Sequence, residues 1–201
     1  MRSTKSTLVL DATRLAEWAH RKNNHVRKAP PGEDQPPYFI HLTEVAWMVQ
    51  AAGYDDACVA AAYLHDIIED CGYTEEQLAK ACKSKKVARY VRWLSEPEKE
   101  TVGPDGVKRD NWTERNASYL ERMKRTSEPV LAISCTDKTS NMRDMIRFMQ
   151  KGHPVSSFTK REFPTLAEKF RQLLKVYCGR IEPSLLLRYR TAFKQFLLVG
   201  R

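Results

Sequence analysis

The chain has 201 residues, of which 42% are hydrophobic and 29% are charged. This length supports one well-buried core but is short for two, and the composition excludes a largely disordered chain. The longest apolar stretch, Ala57 to Leu64, is far shorter than the roughly 18 residues of a membrane span. The basic N-terminus lacks a small-residue cleavage site, so we expect a cytoplasmic protein with one domain over residues 1–201.

The formal net charge is +9 at pH 7. A basic surface attracts polyanions, which include nucleic acid, acidic membranes and highly phosphorylated small molecules. The charge alone does not select among these partners, because many lysines and arginines only solvate helix faces.

The five cysteines are odd in number and widely spaced along the chain. None of them forms a C-x-x-C pair, so the spacing suggests neither a zinc cage nor a disulfide framework. We expect mostly buried and reduced thiols.

Apolar residues at helical spacing dominate the first half of the chain. The predicted elements are a helix over Ala12–His25, a proline-rich loop over residues 29–37, a helix from near Tyr38 or His41 to Ala52, a helix from Asp55 or Asp56 to about Asp70, and a helix opened by a capping box of Thr74 and Gln77.

The second half continues the helical pattern. Its predicted elements are a long loop over Ser95–Asp110, helices over Trp112–Lys124 and Pro129–Met149, a break over Lys151–Phe158, and two tail helices over Phe163–Val176 and Pro183–Leu198. No segment shows the alternation of a strand. The sequence therefore predicts an all-α, single-domain bundle with a motif-bearing core at about residues 14–150 and a helical tail at about residues 160–201.

The densest group of ionisable residues is His65-Asp66-Ile67-Ile68-Glu69-Asp70, which follows directly on an apolar run. On a helix, residues three and four positions apart share a face, so His65 lies over Glu69, and Asp66 lies over both Glu69 and Asp70. Three carboxylates on one turn repel one another unless solvent, a basic partner or a metal compensates them. A solvated acidic helix end is the simpler explanation, and a functional site is the favoured one.

Two further residues extend this group. His41 is expected at the start of the second helix, and Asp137 follows the apolar segment Val130 to Ile133. Together with His65 and Asp66 they offer two imidazoles and two carboxylates. Such a mixed donor set suits Mn²⁺, Fe²⁺ or Zn²⁺ with open, water-filled positions, and it disfavours Ca²⁺.

The order of these residues, H…HD…D, resembles the HD superfamily of metal-dependent phosphohydrolases. The wider pattern is similar to the hydrolase domain of the RelA/SpoT proteins and to the small alarmone hydrolases of the metazoan SpoT-homologue type. The matching pieces are Arg27-Lys28, Pro37-Tyr38-Phe39-Ile40-His41, His65 to Asp70, Val91 to Ser95, Trp112-Thr113-Glu114-Arg115 with Tyr119-Leu120, and Asp137-Lys138-Thr139-Ser140-Asn141-Met142-Arg143.

The resemblance implies an HD-type helical bundle and a role for each matched residue. His41, His65, Asp66 and Asp137 are implied as ligands of a metal, usually Mn²⁺. Glu69 and Asp70 are implied to position and deprotonate the attacking water. The residues implied to bind substrate are Arg27, Lys28, Lys138 and Asn141.

The implied reaction removes the 3′-pyrophosphate from guanosine tetra- or pentaphosphate. An alternative is an HD phosphohydrolase that removes a 3′- or 2′-phosphate from another nucleotide. A third interpretation is a non-catalytic regulator that binds a nucleotide or RNA; it ranks last because Glu69 and Asp70 accompany the metal set. We do not expect nucleic acid as a partner, since Lys83 to Lys86 lacks interleaved aromatic residues.

The chain also departs from the family pattern. The loop between Arg27 and Tyr38 is longer than usual, Thr139 and Ser140 stand where the family commonly has leucine and histidine, and His25 lies near the position of a usual glutamine. These departures leave the metal set intact and concern the nucleoside pocket.

Overall fold

The computed structural model describes residues 7–96, 100–102 and 108–200. These ranges contain helices α1 (Leu8–Lys22), α2 (Phe39–Ala51), α3 (Asp56–Leu64), α4 (Ile67–Cys71), α5 (Glu75–Ala81), α6 (Lys85–Leu94), α7 (Trp112–Arg125), α8 (Glu128–Gln150), α9 (Ser156–Thr159), α10 (Phe163–Tyr177) and α11 (Pro183–Val199). A short antiparallel ribbon pairs β1 (Glu100–Val102) with β2 (Lys108–Asp110). None of the described helices has the length and apolar character needed to cross a membrane.

Local sequence signals explain where several helices begin. The Thr74 hydroxyl accepts a hydrogen bond from the Gln77 backbone N–H, and the Gln77 side chain accepts one from the Thr74 N–H, so the predicted capping box opens α5. The Asp55 carboxylate caps α3 by accepting from the Cys58 N–H. Helices α8, α10 and α11 carry proline in the first turn, where its missing N–H removes no helical bond.

The first helix ends earlier than predicted. Helix α1 stops at Lys22, and the backbone of Asn24 is left-handed, with φ of 53°. His25 therefore lies in the connecting segment, where Val26 forms an isolated bridge with Pro37. The predicted helix over Ala12–His25 is wrong in its last turn because apolar spacing does not report where the backbone reverses.

The predicted helix through the H-D-x-x-E-D segment is interrupted. His65 and Asp66 form a two-residue break between α3 and α4, and the ring of His65 bonds back to the carbonyl of Ala62 instead of lying over Glu69 on a regular helix. The predicted long loop before Trp112 contains the β1–β2 ribbon, while residues 97–99 and 103–107 of that prediction lie outside the described residues.

Helix α8 is the central element of the core. It packs against α2, α3, α6, α10 and α11, and its residues from Val130 to Asp137 are all buried. Helix α3 is enclosed by α1, α2, α6 and α8, which explains its nearly continuous apolar run. This packing brings the start of α2, the end of α3 and the middle of α8 together, and these three places carry the H…HD…D residues.

The tail helices pack on the same core. The Tyr189 hydroxyl of α11 donates to the backbone carbonyl of Phe170 on α10 at 2.9 Å, and the Tyr177 hydroxyl lies 2.7 Å from Ser134 Oγ on α8. Phe196 is fully buried, stacked on Phe163 with ring centroids 4.8 Å apart and edge-on to Phe170. The all-α fold is confirmed; the single-domain organisation stays a prediction, which these contacts support.

We expect Phe196→Ala to lower the free energy of unfolding of the whole protein by about 3–5 kcal/mol, because it leaves a cavity among buried rings. Chemical denaturation followed by circular dichroism measures this as one shifted transition. Leu198→Ala is the matched control, since that side chain on the same helix is 58% exposed; its effect should stay within about 0.5 kcal/mol. A separate early transition for the tail would contradict the single-domain prediction.

Candidate metal centre

Four side chains from three parts of the fold meet in one buried space. His41 comes from α2, His65 and Asp66 come from the break after α3, and Asp137 comes from α8. Asp137 Oδ1 lies 3.3 Å from His41 Nε2 and 3.8 Å from His65 Nε2. Asp66 Oδ2 lies 3.0 Å from His65 Nε2 and 4.0 Å from His41 Nε2. The four residues predicted as metal ligands are therefore brought together.

A chain of hydrogen bonds orients His41. Its Nδ1 lies 2.9 Å from Ser140 Oγ, and the Ser140 hydroxyl donates to Glu44 Oε2 at 2.6 Å. Because the hydroxyl proton is committed to the carboxylate, His41 Nδ1 carries the proton and donates to Ser140. Glu44 in turn accepts from Arg143 at 2.6 Å. The lone pair of His41 is consequently on Nε2, which faces Asp137.

His65 is oriented in the same way by the backbone. Its Nδ1 donates to the Ala62 carbonyl at 2.8 Å, which leaves Nε2 toward the two carboxylates. Neither His41 Nε2 nor His65 Nε2 makes a hydrogen bond of ordinary geometry to any described residue, although both are fully buried. Histidine ligands of metals typically donate the other ring N–H to a carbonyl or polar group, and both rings follow that rule.

The two carboxylates are held by donors around the centre. Asp66 Oδ2 accepts from the Tyr38 hydroxyl at 2.5 Å, and Asp137 accepts from Lys138 Nζ at 2.7 Å and from Asn141 Nδ2 at 2.5 Å. Although burial alone opposes ionisation, the charges of Lys138 and His65 hold the pKa of Asp137 well below its usual range.

The centre favours a positive charge between its carboxylates. Burial lowers the pKa of the His65 ring, but Asp66 and Asp137 outweigh it and raise that pKa well above its usual value. A divalent cation competes with this proton for the same Nε2 lone pair. One ligand atom each from His41, His65 and Asp137 lies within 4.8 Å of the others, so these residues fit a divalent transition metal.

Glu69 and Asp70 lie on α4, directly after the break. Glu69 Oε1 accepts from the Glu96 backbone N–H at 2.6 Å. Burial, followed by the charges of Asp66 and Glu96, raises the pKa of Glu69 to about 7. Burial, followed by the negative charges of Asp66 and Asp70, raises the pKa of the half-buried Tyr38 well above its usual value.

The predicted substrate-binding residues fall in two positions. Lys138 and Asn141 bond directly to Asp137, and Arg27 reaches the same cluster through Asn141 Oδ1 at 2.9 Å. Arg27 also donates twice to Asp144, at 2.9 and 2.7 Å. Lys28 is exposed at the beginning of the long loop. Their roles toward a substrate stay predictions.

Lys169 of α10 is a site residue that the sequence did not reveal. Its ammonium group lies 4.0 Å from Glu96 Oε1 and 5.7 and 5.8 Å from the rings of Trp112 and Tyr119. Burial and then the charge of Lys138 lower its pKa to about 8. The sequence pattern that could have revealed it is a lysine on an otherwise apolar helix face, three residues after the buried Leu166 and four before the buried Leu173.

The sequence match to a known family covers most of the chain. The model of the HD domain family matches residues 12–170. The protein belongs to the HD domain family. Members of this family are metal-dependent, in agreement with the His and Asp cluster.

Curated relatives share this region. The chain is 34% identical over 109 residues to a guanosine-3′,5′-bis(diphosphate) 3′-pyrophosphohydrolase of Haemophilus influenzae. The aligned region covers 54% of the chain and 15% of that relative. A probable enzyme of the same name from Synechocystis is 27% identical over 137 residues, or 66% of the chain and 17% of the relative. The chain therefore spans less than a fifth of these two. The Danio rerio enzyme is 27% identical over 154 residues, 76% of the chain and 77% of that relative.

Solved structures show the same HD fold. A metazoan ortholog of SpoT that hydrolyzes ppGpp superposes with a TM-score of 0.73 over 96% of this chain and 97% of that chain, at 22% identity. A Listeria monocytogenes protein superposes with a TM-score of 0.64 over 80% of this chain and 98% of that chain, at 21% identity. At these identities the likeness concerns the fold.

Ser140→Ala removes the oxygen that accepts the His41 Nδ1 proton. Without this acceptor, His41 no longer favours the tautomer in which Nε2 carries a free lone pair. We expect this HD protein to bind Mn²⁺ about 10–100-fold more weakly after the change, by titration of the metal-stripped protein. Ser157→Ala, at an exposed position on α9, is the control and should leave the affinity unchanged. Equal affinities in both variants would show that the bond to Ser140 does not orient His41.

Lys169 predicts a pH dependence of stability. Its pKa is about 8 in the folded protein against an ordinary value of 10.5, so between these values the unfolded chain binds more protons. The folded state is therefore stabilised as the pH rises from about 8 to about 10.5.

We expect the difference in free energy of unfolding between the wild type and Lys169→Met to depend on pH. The wild-type value minus the variant value should rise by on the order of 1–3 kcal/mol between about pH 8 and about pH 10.5. Subtraction removes the titration of other groups, and denaturation at several pH values measures the difference. Lys175→Met, at an exposed position of the same helix, should give a flat difference. A flat difference for Lys169 as well would mean that its ammonium group is solvated.

Proposed function

We propose that this HD protein hydrolyses guanosine 3′,5′-bis(diphosphate), and the corresponding pentaphosphate, to GDP or GTP and pyrophosphate. The observation that carries the proposal is the convergence of two oriented imidazoles and two carboxylates beside Glu69, with Lys138 and Lys169 at the same site. The activities for which the Haemophilus influenzae and Danio rerio relatives are named support the choice of substrate.

His41, His65, Asp66 and Asp137 are proposed to hold the metal, with Mn²⁺ as the expected ion and Fe²⁺ or Zn²⁺ as substitutes. Nitrogen and carboxylate donors suit all three ions. A bound divalent ion polarises a phosphoryl oxygen and lowers the pKa of a coordinated water.

Glu69 is proposed as the general base. Its pKa of about 7 lets its carboxylate accept a proton from water near neutral pH and return it to the leaving oxygen. The bond from the Glu96 N–H holds one carboxylate oxygen, and the other oxygen is proposed to accept the proton. Asp70, on the same turn, is proposed to assist in positioning the water.

The cationic side chains are proposed to bind the phosphates. Lys138 and Lys169 both border Tyr119, with ammonium groups 5.1 and 5.8 Å from its ring. A diphosphate beside them favours the charged form of Lys169, whose pKa is lowered by burial. Arg27 and Asn141 lie on the opposite side of Asp137 and are proposed to contact the nucleoside, with Lys28 at its outer edge.

We also propose a cytoplasmic location, which agrees with the five free thiols and with a soluble phosphorylated nucleotide as the partner.

The test is hydrolysis of guanosine tetraphosphate by the Mn²⁺-loaded protein, with GDP and pyrophosphate separated by ion exchange. Glu69→Gln should lower kcat by about 10²–10⁴-fold while Mn²⁺ binding persists, because only the base is lost. Asp66→Ala should lose both metal and activity. Glu75→Gln, in the first turn of α5 and away from the centre, is the matched control.

Hydrolysis that survives Glu69→Gln would remove Glu69 from the mechanism. Absence of hydrolysis by a wild type that binds Mn²⁺ would overturn the guanosine substrate and leave the metal centre standing. The same assay on nucleotides that carry a 3′- or 2′-phosphate then tests the alternative phosphohydrolase.

A further inference from the structure

A second cluster of metal-binding side chains lies beside the first. His20 is in the last turn of α1, His25 is in the connecting segment, and Cys71 is the last residue of α4. One ligand atom from each lies within 4.8 Å of the other two. His20 and His25 are close in sequence, whereas Cys71 lies on a different helix, so the packing of α4 against the end of α1 brings the thiol to the two imidazoles.

The spacing of the two imidazoles is that of neighbouring ligands on one ion. His20 Nδ1 and His25 Nδ1 are 3.1 Å apart. With metal–nitrogen bonds of about 2.0–2.1 Å and a metal–sulfur bond of about 2.3 Å, ligand atoms of a tetrahedral zinc lie roughly 3.3–3.7 Å apart. A movement of a few tenths of an ångström therefore converts the contact between the rings into an edge of a coordination tetrahedron.

His20 has the burial and protonation state of a ligand. It is 1% exposed, and its Nδ1 faces the Nδ1 of His25. Burial lowers the pKa of the ring to about 4, so it is neutral at physiological pH and offers a lone pair. The ring is stacked on Tyr38, with centroids 5.0 Å apart, which fixes its plane.

We propose that His20, His25 and Cys71 form a second metal site that takes a thiophilic divalent ion such as Zn²⁺. Two nitrogens and one thiolate leave a fourth position for water. Burial raises the pKa of the Cys71 thiol to about 11, so binding releases a proton from it. A cavity of about 480 Å³ that His20 and His25 help to line supplies a route from solvent.

The site connects to the HD centre through defined contacts. Cys71 ends the short helix that carries Glu69 and Asp70, so an ion here ties that helix to the end of α1. Tyr38, stacked on His20, donates its hydroxyl proton to Asp66. The role of the second ion is therefore structural: it holds the general base and one proposed ligand of the first centre.

Cobalt(II) distinguishes the two sites, because only the second contains sulfur. Chelator-treated, reduced protein is titrated with Co²⁺ and followed by absorption. We expect a thiolate-to-cobalt charge-transfer band in the near ultraviolet. The band should be lost in Cys71→Ser, and His25→Gln should lose it or bind Co²⁺ at least about tenfold more weakly. The control Cys178→Ser changes an exposed thiol and should retain it.

The proposal is independent of catalysis, so it is also tested in Asp137→Ala, which removes a ligand of the HD centre. Persistence of the band there places the thiolate-bound ion outside that centre. Absence of the band in the folded wild type, its loss in Cys178→Ser, or its persistence in Cys71→Ser overturns the assignment. Circular dichroism of each variant establishes that loss of the band does not reflect unfolding.

Discussion

Two carboxylates face two imidazole nitrogens in a largely buried space, and the surrounding structure is organised by that arrangement. Asp66 and Asp137 would repel each other without a positive charge between them. The protein holds them in place with Tyr38, Lys138 and Asn141, and it turns the lone pairs of His41 and His65 toward them. The side chains of the centre are thus oriented and charged to bind a cation.

The backbone makes this preparation possible. The regular helix is interrupted at His65 and Asp66, between α3 and α4, and at this point His65 bonds to Ala62 and faces Asp137. Helix α8 presents the opposing carboxylate on a face otherwise buried against α2, α3 and α6. Packing of apolar faces therefore sets the separation of the charged groups.

Charged side chains that surround the metal centre form ion pairs with one another. Glu96 accepts from Arg115 at 2.7 Å and lies near Lys169, while Asp144 holds Arg27. These pairs balance the buried cations. The proposed phosphorylated nucleotide would gain most from Lys138 and Lys169, because burial has removed much of their hydration.

The sequence by itself determined the helical class, the capping box at Thr74 and the ordered H…HD…D residues, since these depend on local spacing and on residue chemistry. It did not determine the break at His65 and Asp66, the bond from His41 to Ser140, the entry of Lys169 into the site or the approach of Cys71 to His20 and His25. Those depend on how α1, α4, α8 and α10 pack. Contacts between residues distant in sequence are decided by burial of helix faces, and a single sequence carries no local pattern that reports them.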